Sequence, residues 1–430
     1  MDVNDLPGLD AVELLAAYRG GTVTPLKVLQ GVTERIARRN PEINAFMTMN
    51  PAALAMARES AWRWQAGQAR ALEGVPVTVS DLMDVAGLPT RRGSKTTDPA
   101  PVKRDAPLVA VLRASGAVII GKTNVSEFGW KYMGDNPLSG VTRNPWNTQH
   151  TAGGPSGGAA ASAAGFFGPL HIADGAVCVS AAWNGVVGLT LGTMAENQGI
   201  IARSVADVAL LAATLRGEEG QLMGAEPDGV RGLKIAVLRH PGSAVPASAD
   251  GWEAVNAARD SLGRQGAQLS EIRIDLSDLD VGEIFAGIWE AECARTVGEI
   301  AEPQLSSLDP ELLALSARHT PGMRIDEQKC QVLRTRAAQA ISALDVDIML
   351  CPTVAQGAPL VGTKYPDLRQ ALTQEWAPWT MLFSLIGQPA LTLPMGIDAN
   401  GLPTAVQLVA RTKGDEIMMR VARALEQGLA

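Results

Sequence analysis

The sequence has no apolar run long enough to cross a bilayer. Its longest apolar stretches, residues 108–121 and 157–170, are broken by Gly, Ser or Arg and fall short of the roughly 18–20 residues a spanning helix needs. The first twenty residues open with acids instead of a basic segment followed by an apolar one. No secretory leader is read there, and the expected location is the cytoplasm. Cysteine is scarce: Cys178, Cys293, Cys330 and Cys351 lie far apart, without a CxxC pair or a histidine at ligand spacing. Reduced, half-buried small hydrophobes are expected, with no disulfide frame, metal site or cofactor. The net charge of −8 is spread along the chain, and no basic cluster is interleaved with aromatics. That excludes nucleic acid and anionic membrane as expected partners.

What the chain does hold is apolar bulk and glycine. With 46% hydrophobic side chains and 44 glycines in 430 residues, it can bury a large core as one α/β unit. Thr24-Pro25 followed by Val28, Leu29, Val32 and Ile36 gives a cap, a first-turn proline and an apolar stripe. Helices are expected near 10–19, 25–39, 51–68 and 106–115. Strands are expected at 74–81 and 117–121. The small-residue run 157–165 reads as a tightly packed buried helix. Ser204 with Asp207 three residues on gives a capping-box pattern. Residues 231–240 and 347–353 read as buried strands of one sheet. Residues 387–396 and 401–410 read as a strand pair around the turn 398–401, before a closing helix 414–428.

Four segments carry a resemblance. GVPVTVSDLMDVAGLPTRRGS (74–94), GKTNVSEFGW (121–130), NPWNTQHTAGGPSGGAAASAAG (144–165) and GQPALTLPMG with GLPTAVQLVA are similar, in order, to segments of the amidase signature family. The resemblance implies one α/β domain over 1–430 with a mixed central sheet flanked by helices on both faces. It is divided into N-terminal helices (1–70), a signature core (71–215) and the rest of the sheet with its covering helices (216–430). It also implies a mechanism in which a neutral lysine draws a proton through a serine on a cis peptide. This activates a second serine to attack an amide carbonyl beside a Gly-rich oxyanion loop.

Mapped onto this chain, the lysine position is Ser80, the cis-serine position is Pro155 and the nucleophile falls on Ala176. Proline tolerates the cis bond but brings no hydroxyl. In the same segment (173–185) the family's arginine and proline fall on Cys178 and Ser180. Between 189 and 201 the chain is shorter than the family pattern. Three coordinated losses lead to the expectation of a catalytically silent scaffold that binds a small ligand or a partner subunit. The alternative is an amidase-like hydrolase of carboxamide C–N bonds with a displaced nucleophile, for which Ser156, Ser180 and Cys178 are the candidates.

If residues 173–185 are extended, Cys178 shares the parity of Ala176, and His171 could pair with it; packing is the plainer reading. The expected ligand pocket comprises Gly153, Gly154, Ser156, Asp174 and Gly175, holding a small amide or carboxylate. A homo- or hetero-oligomer is also expected. Lys122 is expected to be structural, Lys95 and Arg91–Arg92 to sit on a solvated loop, and His150, His240 and His319 to be scattered. Trp130, Trp146, Trp183, Trp376 and Trp379 could serve the core, the pocket wall or an interface.

Overall fold

The computed structural model describes residues 6–191, 198–218, 229–242, 247–276, 278–318, 327–411 and 414–429; His319 and most of the short stretch after residue 191 lie outside them. Local signals start the elements. The Asp10 carboxylate accepts from Glu13 N while Glu13 returns a bond to Asp10 N, opening α1 (Ala11–Arg19). Thr24 caps α2 (Pro25–Ile43), and α3 (Ala53–Gln65) and α4 (Pro107–Ala114) follow. The small-residue run forms α5 (Gly157–Ala164), buried on nearly every side. A Cβ on Gly158 would fall on the backbone of Asn124 and within 2.8 Å of the Ala45 carbonyl oxygen. Glycine is therefore required for this helix to lie so close to the sheet.

In chain order the strands are β1 (Phe46–Met49), β2 (Pro76–Ser80), β3 (Val118–Thr123), a two-residue pair β4 (Asp135–Asn136) and β5 (Gly140–Val141), β6 (Leu170–Asp174), β7 (Val187–Thr190) and β8 (Gln198–Ala202). They continue with β9 (Lys234–Gly242), β10 (Gln268–Asp275), β11 (Ile348–Pro352), β12 (Ala390–Ile397) and β13 (Pro403–Ala410). All but β4 and β5 join one sheet of eleven strands in the order β1-β3-β2-β6-β8-β7-β12-β13-β11-β9-β10. The pairs β2–β3, β2–β6, β9–β11 and β9–β10 are parallel and the others antiparallel. The sheet is mixed, as expected.

Both faces are covered. On one, Val77, Val79, Ile172, Leu189 and Leu391 pack with α4, with α7 (Val205–Arg216) and with the closing helix Asp415–Leu429. On the other, α5 and α6 (Val177–Asn184) pack through Ala159, Ala163, Val177 and Ala181, and an aromatic cluster around Trp130, Trp289, Trp376 and Trp379 continues the layer. No helix among the described residues is long and apolar enough to cross a membrane.

Two local expectations are corrected. Ser204 accepts from Asp207 N, but the Asp207 carboxylate does not complete a capping box. It receives Ala11 N and Val12 N, tying α1 to α7 across the fold. Residues 177–184 are helical, not extended. A run apolar on every side carries no period with which to tell strand from helix.

Candidate active site

The site is built at the C-terminal end of β6. The strand stops at Asp174, Gly175 takes φ 77°, and Ala176 takes φ 48° and ψ 32° before α6 begins. Two consecutive left-handed residues make a sharp strand-to-helix turn, and the second is one that ordinary side chains enter at a cost. The turn is braced from below. The Ser156 hydroxyl, itself buried, donates to the Gly175 carbonyl oxygen and lies 3.3 Å from that of Asp174. Ala176 caps α6 without a side-chain bond. The first-turn N–H groups of that helix have no partner within the helix itself.

Above the turn lies a cavity of about 90 Å³. Its floor is Pro155, Gly175, Ala176, Val177 and Cys178, and its walls include Trp130, Tyr132, Phe285, Trp289 and Phe383. Thr190, Thr380, Ser384, Gln388 and Gln407 add polar groups. Gly154–Pro155 is cis. Of the residues singled out from sequence, Trp130, Pro155, Gly175, Ala176 and Cys178 meet at this cavity. Gly153, Gly154, Ser156, Asp174, Ser80 and Ser180 are not among the residues that line it.

Each of those six has its own setting. Gly154 packs against the carbonyls of Lys131 and Met133, leaving no room for a Cβ. Gly153 lies against the Trp183 ring and near Ser180, whose fully buried hydroxyl has no partner among the described residues. Ser80 ends β2 and accepts from Leu82 N at 3.4 Å. Asp174 is half-buried, and burial pushes its carboxyl up to about 6 against the pull of Arg92.

Cys178 faces the cavity because α6 turns it there, not through strand parity. Burial pushes its thiol up to about 11, with its Sγ 3.9 Å from the Ala390 carbonyl oxygen. His171 is no partner for it. Its Nδ1 lies 2.6 Å from Thr78 Oγ1 and its Nε2 3.0 Å from Gly168 O, and burial pulls the imidazole down to about 3. His150 bonds the Ala358 carbonyl. Lys122 is fully buried. It lies 2.8 Å from Asp81 and donates to Thr90 Oγ1 and Pro89 O at 2.7 and 3.0 Å. Lys95 and Arg92 are exposed, and Arg91 bonds Thr97 within the same loop. Trp183, Trp376 and Trp379 are core; Trp146 is half exposed, and Trp130 walls the cavity. All four cysteines are buried and none is joined in a disulfide, and no group of acids, histidines and cysteines among the described residues could hold a metal.

Residues the sequence did not single out complete the wall: Phe285 and Trp289 from helix Val281–Gly298, Phe383 and Ser384 from helix Met381–Ile386, and Gln407 from β13.

The chain resembles known proteins over nearly its whole length. A Mycobacterium tuberculosis protein provisionally named amidase AmiC is 30% identical, with 99% of this chain and 96% of that one covered. An acylamidase of Rhodococcus erythropolis is 28% identical over 99% of this chain and 96% of its own. A crystal structure of an amidase superposes with a TM-score of 0.84 at 27% identity, covering 98% of this chain and all of the other. These matches correct the expectation of a silent scaffold. The relatives are amide hydrolases by name, matched end to end, and nothing among them points to a protein that only binds. The family model described as Amidase matches residues 27–419, and the chain belongs to the amidase signature family.

Proposed function

We propose that this protein hydrolyses carboxamide C–N bonds, with Cys178 as a displaced nucleophile. The observation that carries the reading is the cavity over the Gly175–Ala176 turn, into which Cys178 projects beside the open first turn of α6. Among Ser156, Ser180 and Cys178, it is the one that lines the cavity. Ser156 spends its hydroxyl on the turn, and Ser180 lies behind it.

The steps balance with water as the other reactant. Hydroxide takes the Cys178 thiol proton, and the thiolate adds to the amide carbonyl carbon, forming a C–S bond. The carbonyl oxygen becomes an oxyanion facing the first-turn N–H groups of α6, which favour negative charge. The C–N bond breaks as the amine takes a proton from water. Hydroxide then cleaves the thioester, leaving a carboxylate, and the sulfur regains a proton. The high thiol value means that little thiolate exists at neutral pH, so turnover should be slow there and rise with pH. We also place the protein in the cytoplasm, a reading supported by the absence of a disulfide among its described residues.

The test is a panel of simple aryl and alkyl amides with wild type and Cys178→Ala. Turnover in wild type that is lost in the variant upholds the reading. Turnover unchanged by the substitution would remove Cys178 from it.

A further inference from the structure

We propose that Tyr132 is a further catalytic residue, the acid that hands a proton to the departing amine and, as phenolate, the base that draws one from the hydrolytic water. The inference rests on the proposed attack by Cys178; water remains the source of the proton overall, and Tyr132 is the group that passes it.

The need arises at position 155. The family resemblance places a proton-relaying hydroxyl there, and Pro155 brings none to the cavity that it lines. An amide nitrogen departs as a neutral amine only if an acid protonates it while the C–N bond breaks. The lining side chains with a transferable proton are Cys178, Tyr132, Thr190, Thr380 and Ser384. Cys178 gives up its proton in order to attack. The Thr190 hydroxyl donates to the Ala390 carbonyl at 3.2 Å and the Thr380 hydroxyl to the Ala377 carbonyl at 3.1 Å. Ser384 is an aliphatic alcohol, a far weaker acid than a phenol. Tyr132 is the acid that remains.

Its placement answers the need. The carbonyl oxygens on either side of it, those of Lys131 and Met133, would stand 2.8 and 2.6 Å from a Cβ built on Gly154, so the backbone of Tyr132 lies against the segment that carries Pro155. That backbone is held: Ser126 donates to the Lys131 carbonyl at 2.8 Å, and the Lys131 ammonium donates to Asp309 at 2.6 Å and to Asp135 at 2.9 Å. The Tyr132 ring is half-buried beside Trp376, with centroids 5.8 Å apart. Its hydroxyl bonds no group among the described residues and is not sealed in the core. Burial pushes the phenol above its ordinary 10, and a charged Cys178 sulfur lies near enough to push it further. The phenol therefore keeps its proton until the reaction takes it, and the phenolate left behind is a strong base.

The transfers balance. As the adduct of thiolate and amide collapses, the C–N electron pair takes the Tyr132 proton, the amine leaves, the carbonyl re-forms as a thioester, and a phenolate remains. The phenolate takes a proton from water, the hydroxide so formed bonds the thioester carbon, and the C–S bond breaks to give carboxylic acid and thiolate. The tyrosine is restored, and the sum is amide and water giving acid and amine.

The test uses two substrates with one acyl group on wild type, Tyr132→Phe and Cys178→Ala. One is an N-alkyl benzamide, whose amine needs a proton to leave; the other is nitrophenyl benzoate, whose leaving group departs as an anion. Acylation by the ester is read from the first-turnover burst of nitrophenolate, before the thioester is cleaved. Tyr132→Phe keeps the ring and its packing. It should lower kcat for the amide by about 100-fold or more with KM little changed, and alter the burst rate by less than about threefold. Equal losses with both substrates would make the hydroxyl a matter of cavity shape and overturn the inference. So would an undiminished amide rate in Tyr132→Phe where Cys178→Ala is inactive, a result that leaves the nucleophile standing. Amide turnover that survives Cys178→Ala yet falls in Tyr132→Phe would retire the sulfur and keep the phenol as proton donor.

Discussion

Lys122 on β3 and Asp81 just beyond β2 form an ion pair 2.8 Å long with neither side chain reaching solvent. The pair lies one residue from Ser80, where the family resemblance implies a lysine. Lys122 does not fill that role. An ammonium has three protons to give, and Asp81, Thr90 and Pro89 take them. Burial pulls the lysine down and pushes the aspartate up, so the charges stand only because they stand together. Lys122→Ala or Asp81→Ala should each cost about 3–5 kcal/mol by leaving a buried charge alone. The double replacement Lys122→Met/Asp81→Leu should cost far less. Urea denaturation of the three variants checks this; equal losses in all would show that volume, not charge, governs the site.

His171 should make stability depend on pH. Its folded value, about 3, lies below the ordinary 6.5. Between those values the unfolded chain binds a proton that the native state refuses. Stability is therefore lost as pH falls through that window, by up to about 1.4 kcal/mol per pH unit. Asp207 acts with the opposite sign. Its carboxyl is pushed up to about 7 from 3.8, so its contribution is present at low pH and is lost as pH rises through that range. Comparing wild type with His171→Gln by denaturation from pH 3 to 8 isolates the histidine. An unchanged slope below pH 6 would contradict the assignment.

Ala176 holds a left-handed conformation at φ 48°. Glycine enters that region freely, at the expense of a more flexible unfolded chain, so Ala176→Gly should leave stability within about 1 kcal/mol of wild type. A β-branched residue cannot enter it cheaply, and Ala176→Val should lose about 2 kcal/mol or more. Thermal unfolding of the pair checks it. Equal stability would mean that the turn relaxes to another conformation.

Much of the fold was legible in the sequence because it rests on local signals. Asp10 and Thr24 mark helix starts, the run 157–165 shows its close packing in its own composition, and the segments at 387–410 alternate around a clear turn. Residues 173–185 failed because eight successive buried positions in α6 leave no polar face to set the period. The site was half legible for a similar reason. Pro155, Gly175, Ala176 and Cys178 come from adjacent motifs, whereas Phe285, Trp289, Phe383 and Gln407 arrive from elements more than a hundred residues away that the sheet and its covering helices bring together. No local pattern announces such a meeting.

The most direct test of the account is the pH–rate profile of amide hydrolysis by wild type, Cys178→Ser and Cys178→Ala. With the thiol held at about 11, wild-type turnover should climb roughly tenfold per pH unit from neutrality until the enzyme unfolds or the thiol titrates, and both variants should lose that limb. A wild-type profile that is flat above pH 7, or one shared by Cys178→Ala, would contradict the account.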